Sequence, residues 1–228
     1  MVKTSGAMRE LGYRIANSGA ELLIIITPHG PLFKDAIAVA GGDEMAGDFG
    51  QFGAGDVRVS FHNDTELRRY LEEGAQKAKI PLEVVPSELD HGAGVPLYYF
   101  EKQGVDLPGL IITYGLLSYE KIYTFGKVIR KAVVRRGLKT AIIASGDLSH
   151  RLNRGAPAGY HPRGQEYDDL LVKLLAGNQV DEILNIDKSL VEAAGECALR
   201  SIIMFLGFLY GLKVSPEILS YEGPFGVG

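Results

Sequence analysis

The chain has 228 residues, 46% of them hydrophobic and 23% charged, with a net charge of −4 at pH 7, a length that suits one α/β domain burying roughly 70% of its unfolded surface. The slight acidity excludes the basic footprint of a nucleic-acid binder, the apolar runs fall far short of the roughly 20 residues that cross a bilayer, and the first residues lack the apolar core of a secretory signal. One cysteine, Cys197, excludes an internal disulfide and fits a reducing, cytoplasmic setting or a lone thiol with another role.

In chain order, residues 4–19 place Ala7, Met8, Leu11 and Ile15 on one helical face that Gly19 closes. Residues 22–27 are a continuous β-branched run, the habit of a strand buried on both faces. A weaker strand covers 36–40, and 41–55 is glycine-rich and acidic, which predicts a loop or flap rather than a packed element. Residues 57–61 alternate as a strand does. Asn63 or Asp64 then caps a helix to about 78, with Leu67, Tyr70, Leu71 and Ala75 as its buried stripe. A short strand at 82–85 ends at Pro86, and 87–96 reads as a loop. Two further buried strands cover 109–114 and 140–145. The helix between them, 119–136, ends in Arg130, Lys131, Arg135 and Arg136, a cationic C-terminus that complements the helix dipole. Helices follow at 165–176, 180–187 and 195–210. Strands alternating with helices predict an α/β fold, with a largely parallel sheet covered on both faces. The ligand site of such a sheet lies beyond the carboxyl ends of its strands.

Histidines fall at such ends. His29 follows the strand 22–27, His62 follows 57–61, and His150 follows 140–145, while His91 lies in the loop LDHGAGVPL. His29 and His150 emerge at one edge if the sheet is parallel. Imidazoles with a carboxylate and open positions describe non-haem iron sites that activate O₂. The carboxylate candidates are Asp90, Asp147, Glu196 and Glu222. Asp147 either orients His150 or caps a turn. Glu196 and Cys197 open the last helix, where the dipole favours an anion or a thiolate. Phe33, Phe49, Phe52, Tyr98 and Tyr99 lie near these loops, as pocket walls for a planar ring or as ordinary packing. The stretch GDEMAGDFGQFGAG has the glycines of a phosphate cradle, yet its acids repel anions.

The segments IIITPHGP, LDHGAGVPL, IIASGDLSH and AGECALRS, in this order, resemble the LigB superfamily of class III extradiol ring-cleavage dioxygenases, and within it the LigB-like domains of the AmmeMemoRadiSam system, related to the Memo family. The resemblance runs from about Val2 to the terminal SYEGPFGVG. It implies a central mixed sheet with helices on both faces. It also implies an oxidoreductase in which two histidines and a glutamate hold Fe(II), with other divalent metals as substitutes. A catechol-type aromatic substrate would chelate the metal through both oxygens, with O₂ beside it. Carried onto this chain, the resemblance makes His29 a metal ligand and His150 the acid/base. His91 becomes the group that hydrogen-bonds substrate or bound oxygen. The third ligand falls at Glu196 or Cys197: the dioxygenases use glutamate there, and Memo proteins a cysteine.

The family's opening strand, which ends in His-Pro-Pro and supplies another metal histidine, is not found ahead of TPHGP. The chain is therefore expected to be one LigB-like domain, 1–228, lacking that strand, with a partner domain of the AmmeMemoRadiSam system following in longer relatives. His62 is a substitute ligand without a family position behind it. The unpaired sheet edge is a place for a homo-oligomer to form. The alternative function is a metal-binding accessory module, non-catalytic or redox-related, acting with partner proteins. The missing strand and the cysteine favour it. No nucleophile elbow or phosphate loop supports a hydrolase or phosphatase.

Overall fold

A computed structural model describes residues 2–86 and 88–228. Ser87, where the polar loop was expected to begin, lies outside the described residues. The elements in order are helix α1 (Val2–Asn17), strands β1 (Leu22–Thr27), β2 (Ile37–Ala40), β3 (Glu44–Phe49) and β4 (Ala54–His62), helix α2 (Thr65–Ala78), β5 (Leu82–Val85), α3 (His91–Glu101), β6 (Gly109–Thr113), α4 (Tyr119–Arg136), β7 (Thr140–Ala144), and helices α5 (Arg163–Ala176), α6 (Val180–Leu184), α7 (Lys188–Ala194) and α8 (Leu199–Phe208).

Five strands form the central sheet in the order β5-β2-β6-β1-β7, and β3 with β4 makes a separate two-stranded ribbon. All pairings in the sheet are parallel except β2 with β6. This is the expected α/β arrangement, with one antiparallel step. The strand β1 is buried at every position, and its side chains divide by parity. Leu22, Ile24 and Ile26 join one apolar cluster with α2, α4, α5 and α8. Leu23 and Ile25 join a second cluster under α1, α3 and the ribbon. A strand facing two cores needs apolar residues at every position, which is why 22–27 does not alternate.

Three stretches differ from the sequence expectation. The acidic segment 41–55 is not an unpacked flap. Most of it is β3 and the turn into β4, and Met45 anchors it at 3% exposure. The turn places Gly50–Phe52 in one 3₁₀ turn, closed by Gly53 in the left-handed region. Most of the loop read at 87–96 belongs to α3, where two glycines and Pro96 hid the helix. Pro96 removes one backbone donor from its interior, but Asp90 caps the helix by accepting the Ala93 N–H at 3.1 Å. Burial of Ala93, Leu97 and Phe100 then holds it on the sheet. Finally, the last helix begins at Leu199 rather than 195, and the separate helix α7 precedes it. Glu196 and Cys197 therefore sit in the link between two helices. Among the described residues, no helix is long and apolar enough to cross a membrane.

Candidate metal centre

Because β1 and β7 are parallel neighbours in register, with Ile26 beside Ala144, the loops that follow them emerge together. The first carries His29 and the second carries Asp147 and His150. The link 195–198 closes over the second loop: the N–H groups of Cys197 and Ala198 both donate to the Asp147 carbonyl, at 3.1 and 3.0 Å. The His150 N–H donates to the Ala194 carbonyl at 3.1 Å. These bonds bring Cys197 to the strand ends. One ligand atom each from His29, Asp147 and Cys197 lies within 4.8 Å of the others.

Two close approaches require glycine. Gly146 has φ +146°, and a Cβ there would come within 2.6 Å of the Ala198 Cα. A Cβ on Gly92 would come within 2.5 Å of the Thr27 Oγ1, so α3 lies directly against the end of β1. Gly146→Ala is expected to cost roughly 2–4 kcal/mol, from backbone strain and overpacking together. The melting temperature should fall by roughly 5–15 °C. An unchanged melting curve would refute the close packing of the loop and the 195–198 link.

Asp90 does more than cap α3. Its Oδ1 accepts the Thr27 hydroxyl at 2.6 Å, and the same Thr27 oxygen accepts the His29 N–H at 3.2 Å. Carboxylate, hydroxyl and backbone thus fix the turn that aims His29. The sequence named Asp90 only as one carboxylate among several; a TxH turn facing a capped DH pair was the signal for this role.

His29 is an exposed residue whose ring is covered by His91, stacked at 4.0 Å between centroids. Partial burial, and then the His91 charge, lower its pKa below the usual histidine value. A neutral imidazole is the form that ligates a metal. His150 goes the other way. Its Nε2 stands 3.5 Å from Asp147 Oδ2 and 3.8 Å from Cys197 Sγ, and hydrogen bonding to Asp147 first and Cys197 second raises its pKa to about 10.

The raised pKa has a defined sign. Below the ordinary value of 6.5 the folded protein has the full stabilisation of the imidazolium by its partners, and it loses this as pH rises toward 10. Asp147→Asn is expected to bring the His150 pKa down in metal-free protein. Histidine proton titration by NMR checks this, and an unmoved midpoint would remove Asp147 as the main cause.

Of the residues singled out from sequence, His29, Cys197, His150 and Asp147 come together, and His91 joins them through His29. Glu196 does not enter the three-residue cluster. Its Oε2 accepts the Leu199 N–H at 2.6 Å, and it lines a separate cavity of about 570 Å³ with Ser118, Tyr119, Lys188 and Arg200. Burial raises its pKa, against the pull of the Leu199 N–H. His62 pairs with Glu44 in the ribbon and lines a cavity with Leu23, at the amino end of β1, the opposite edge from His29. Glu222 accepts both the N–H and the hydroxyl of Thr4 in the first turn of α1, which holds its pKa down to about 2. Phe49 meets Tyr98 edge to face, and Tyr98 meets Tyr99, so these rings pack with one another. Phe52 reaches His91, at 5.4 Å between centroids.

The donor set tests whether a metal fits. An imidazole, a carboxylate and a thiolate within one coordination sphere suit a divalent first-row metal, and the thiolate adds a softness that an all-nitrogen-and-oxygen triad lacks.

Comparison with known proteins identifies the family and the fold. The family model described as "catalytic LigB subunit of aromatic ring-opening dioxygenase" matches residues 1–228. Protein CA_C1420 of Clostridium acetobutylicum is 39% identical over 235 residues, covering 99% of this chain and 50% of that protein. The chain therefore spans about half the length of that relative. In fold, it is similar to the uncharacterized protein JW3007 from Escherichia coli K12, with a TM-score of 0.65 and 15% identity, covering 92% of this chain and 83% of that one.

Proposed function

Since the chain belongs to the LigB family, the catalytic subunits of aromatic ring-opening dioxygenases, we propose that it opens a catechol-type ring with O₂ at a divalent metal, Fe(II) by family resemblance. The cluster of His29, Asp147 and Cys197 carries this reading. In it these three residues hold the metal, with Asp147 taken as a ligand rather than as the orienting group or turn cap considered from sequence. A bound metal would supply Lewis acidity and a common seat for the diol oxygens and O₂.

The chain's own residues supply the rest. His150, protonated at neutral pH in the metal-free protein, stands at the rim and holds or moves a proton at Nε2. Asp147 keeps that ring in place while its backbone carbonyl turns Cys197 inward. His91, stacked on His29, offers a hydrogen bond to the substrate side. Asp90 and Thr27 fix the His29 turn. Anaerobic loading with Fe(II), followed by air and a panel of catechols, tests the proposal. Stoichiometric metal and a coloured ring-opened product are expected. Absence of both would refute it.

A second reading, an accessory module that binds metal without opening rings, draws on the thiolate in the donor set. Tight metal binding without O₂ consumption on any catechol would favour it.

A further inference from the structure

The ribbon between β3 and β4 ends in a turn held by its own short bonds. Asp48 Oδ1 accepts the Gly50 N–H at 2.8 Å, and the Gly53 N–H donates to the Gly50 carbonyl at 2.9 Å. The two phenylalanines of this turn part company. The Phe49 ring lies against α3, where a Cβ on Gly94 would meet it at 3.3 Å, and it contacts Tyr98 edge to face. Phe49 thereby pins the turn to the body of the protein. Phe52 points the other way. It is 61% exposed, and its ring contact is with His91, nearly perpendicular at 78°. His91 stacks in turn on His29. A row of three rings therefore runs outward from the metal cluster, and the outermost, Phe52, is apolar with most of its surface open.

A pinned turn that displays an open aromatic ring two contacts beyond a metal-ligand histidine has the position of a substrate wall. With His91 as the ring between it and His29, it stands on the side that a substituent pointing away from the oxygens of a diol bound at the cluster would meet. We propose that Phe52 is a specificity residue of this site, selecting catechols that carry an apolar or aromatic substituent on the side away from the diol. This deepens the ring-opening reading and rests on it. Burying such a substituent against the open face of Phe52 removes apolar surface of both from water, and an aromatic substituent gains a ring pair as well.

The test measures binding, so that it does not depend on turnover. Protein loaded with Zn²⁺ is titrated by calorimetry, without oxygen, with bare catechol and with 2,3-dihydroxybiphenyl, for wild type, Phe52→Ala and Phe52→Leu. The expected result is a preference for the substituted diol in wild type. In Phe52→Ala its affinity should fall about 5- to 10-fold, and Phe52→Leu should recover part of this. Bare catechol affinity, metal content and melting temperature should stay unchanged in both variants. Equal loss for the two diols would overturn the proposal, since Phe52 would then act through His91, and so would no change for either. Failure of the underlying reading shows separately, as wild-type protein that takes up no metal or binds neither diol; the proposal falls with it. Normal metal uptake and catechol binding without a Phe52-dependent preference would leave the ring-opening reading standing and remove only this inference.

Discussion

His29→Ala is expected to yield protein with no stoichiometric metal and no ring-opening activity. His29 is the one imidazole in the three-residue cluster, and its pKa is lowered by burial and by His91, so at neutral pH its lone pair is free for a metal. Partners that merely orient a ligand are worth roughly 10–100-fold in affinity, so loss of the ligand itself should weaken binding by about 100-fold or more. The fold should survive, because the residue is exposed and the turn is tied to the Thr27–Asp90 pair through the His29 N–H rather than its ring. Metal analysis after gel filtration, with circular dichroism as a control, measures both halves. Full metal content in this variant would move the centre elsewhere.

His150→Ala is expected to separate binding from chemistry. His150 is outside the three-residue cluster but within 3.8 Å of the Cys197 sulfur and 3.5 Å of an Asp147 oxygen, the distance of a group that hands protons to what the cluster holds. Metal content should stay at the wild-type level, while turnover should fall by roughly 10²–10⁴-fold, the usual share of a positioned acid/base group. The two variants together form one experiment. Equal loss of metal in both would mean that the roles of His29 and His150 are exchanged. Normal turnover in His150→Ala would end its role as acid/base.

The parts of the fold legible in the sequence are those where one force dominates. The bounds of β1, β5 and α4 match the expectation because an unbroken β-branched run, a strand stopped by Pro86, and a periodic helix closed by Gly137 leave few alternatives. The helix α3 was illegible for the opposite reason. Gly92, Gly94 and Pro96 are poor helix formers, and what selects the helix is close contact with β1, a tertiary cause with no local signature. The ribbon's first strand, β3, hid in the same way, since its glycines and acids suit a loop until Met45 finds the second core, whereas the alternation of 57–61 marked β4 as a strand.

The site divides similarly. Strand-end position was enough to pair His29 with His150, because parallel register carries both to one edge. It could not choose between Glu196 and Cys197, which are adjacent in sequence. The difference lies in two backbone bonds to the Asp147 carbonyl, which set Cys197 toward the cluster while Glu196 lines the neighbouring cavity. Nor could it rank Asp147, whose carboxylate matters through its closeness to Cys197 and His29, both far away in the sequence.

The parity of β1 carries a consequence for how the molecule holds together. Since Leu22, Ile24 and Ile26 wall one core and Leu23 and Ile25 the other, neither helical layer can peel away without wetting the strand that the other depends on. The two layers are thus thermodynamically coupled through these five residues, and His29 lies just beyond the end of that strand. The ribbon that presents Phe52 packs on the smaller core through Met45, Val59 and Phe61, and Phe49 holds its turn against α3. The proposed site therefore rests on two separate supports: the residues that would hold a metal follow a strand buried in both cores, and the wall that would meet the rest of a substrate is carried by the ribbon on the smaller one.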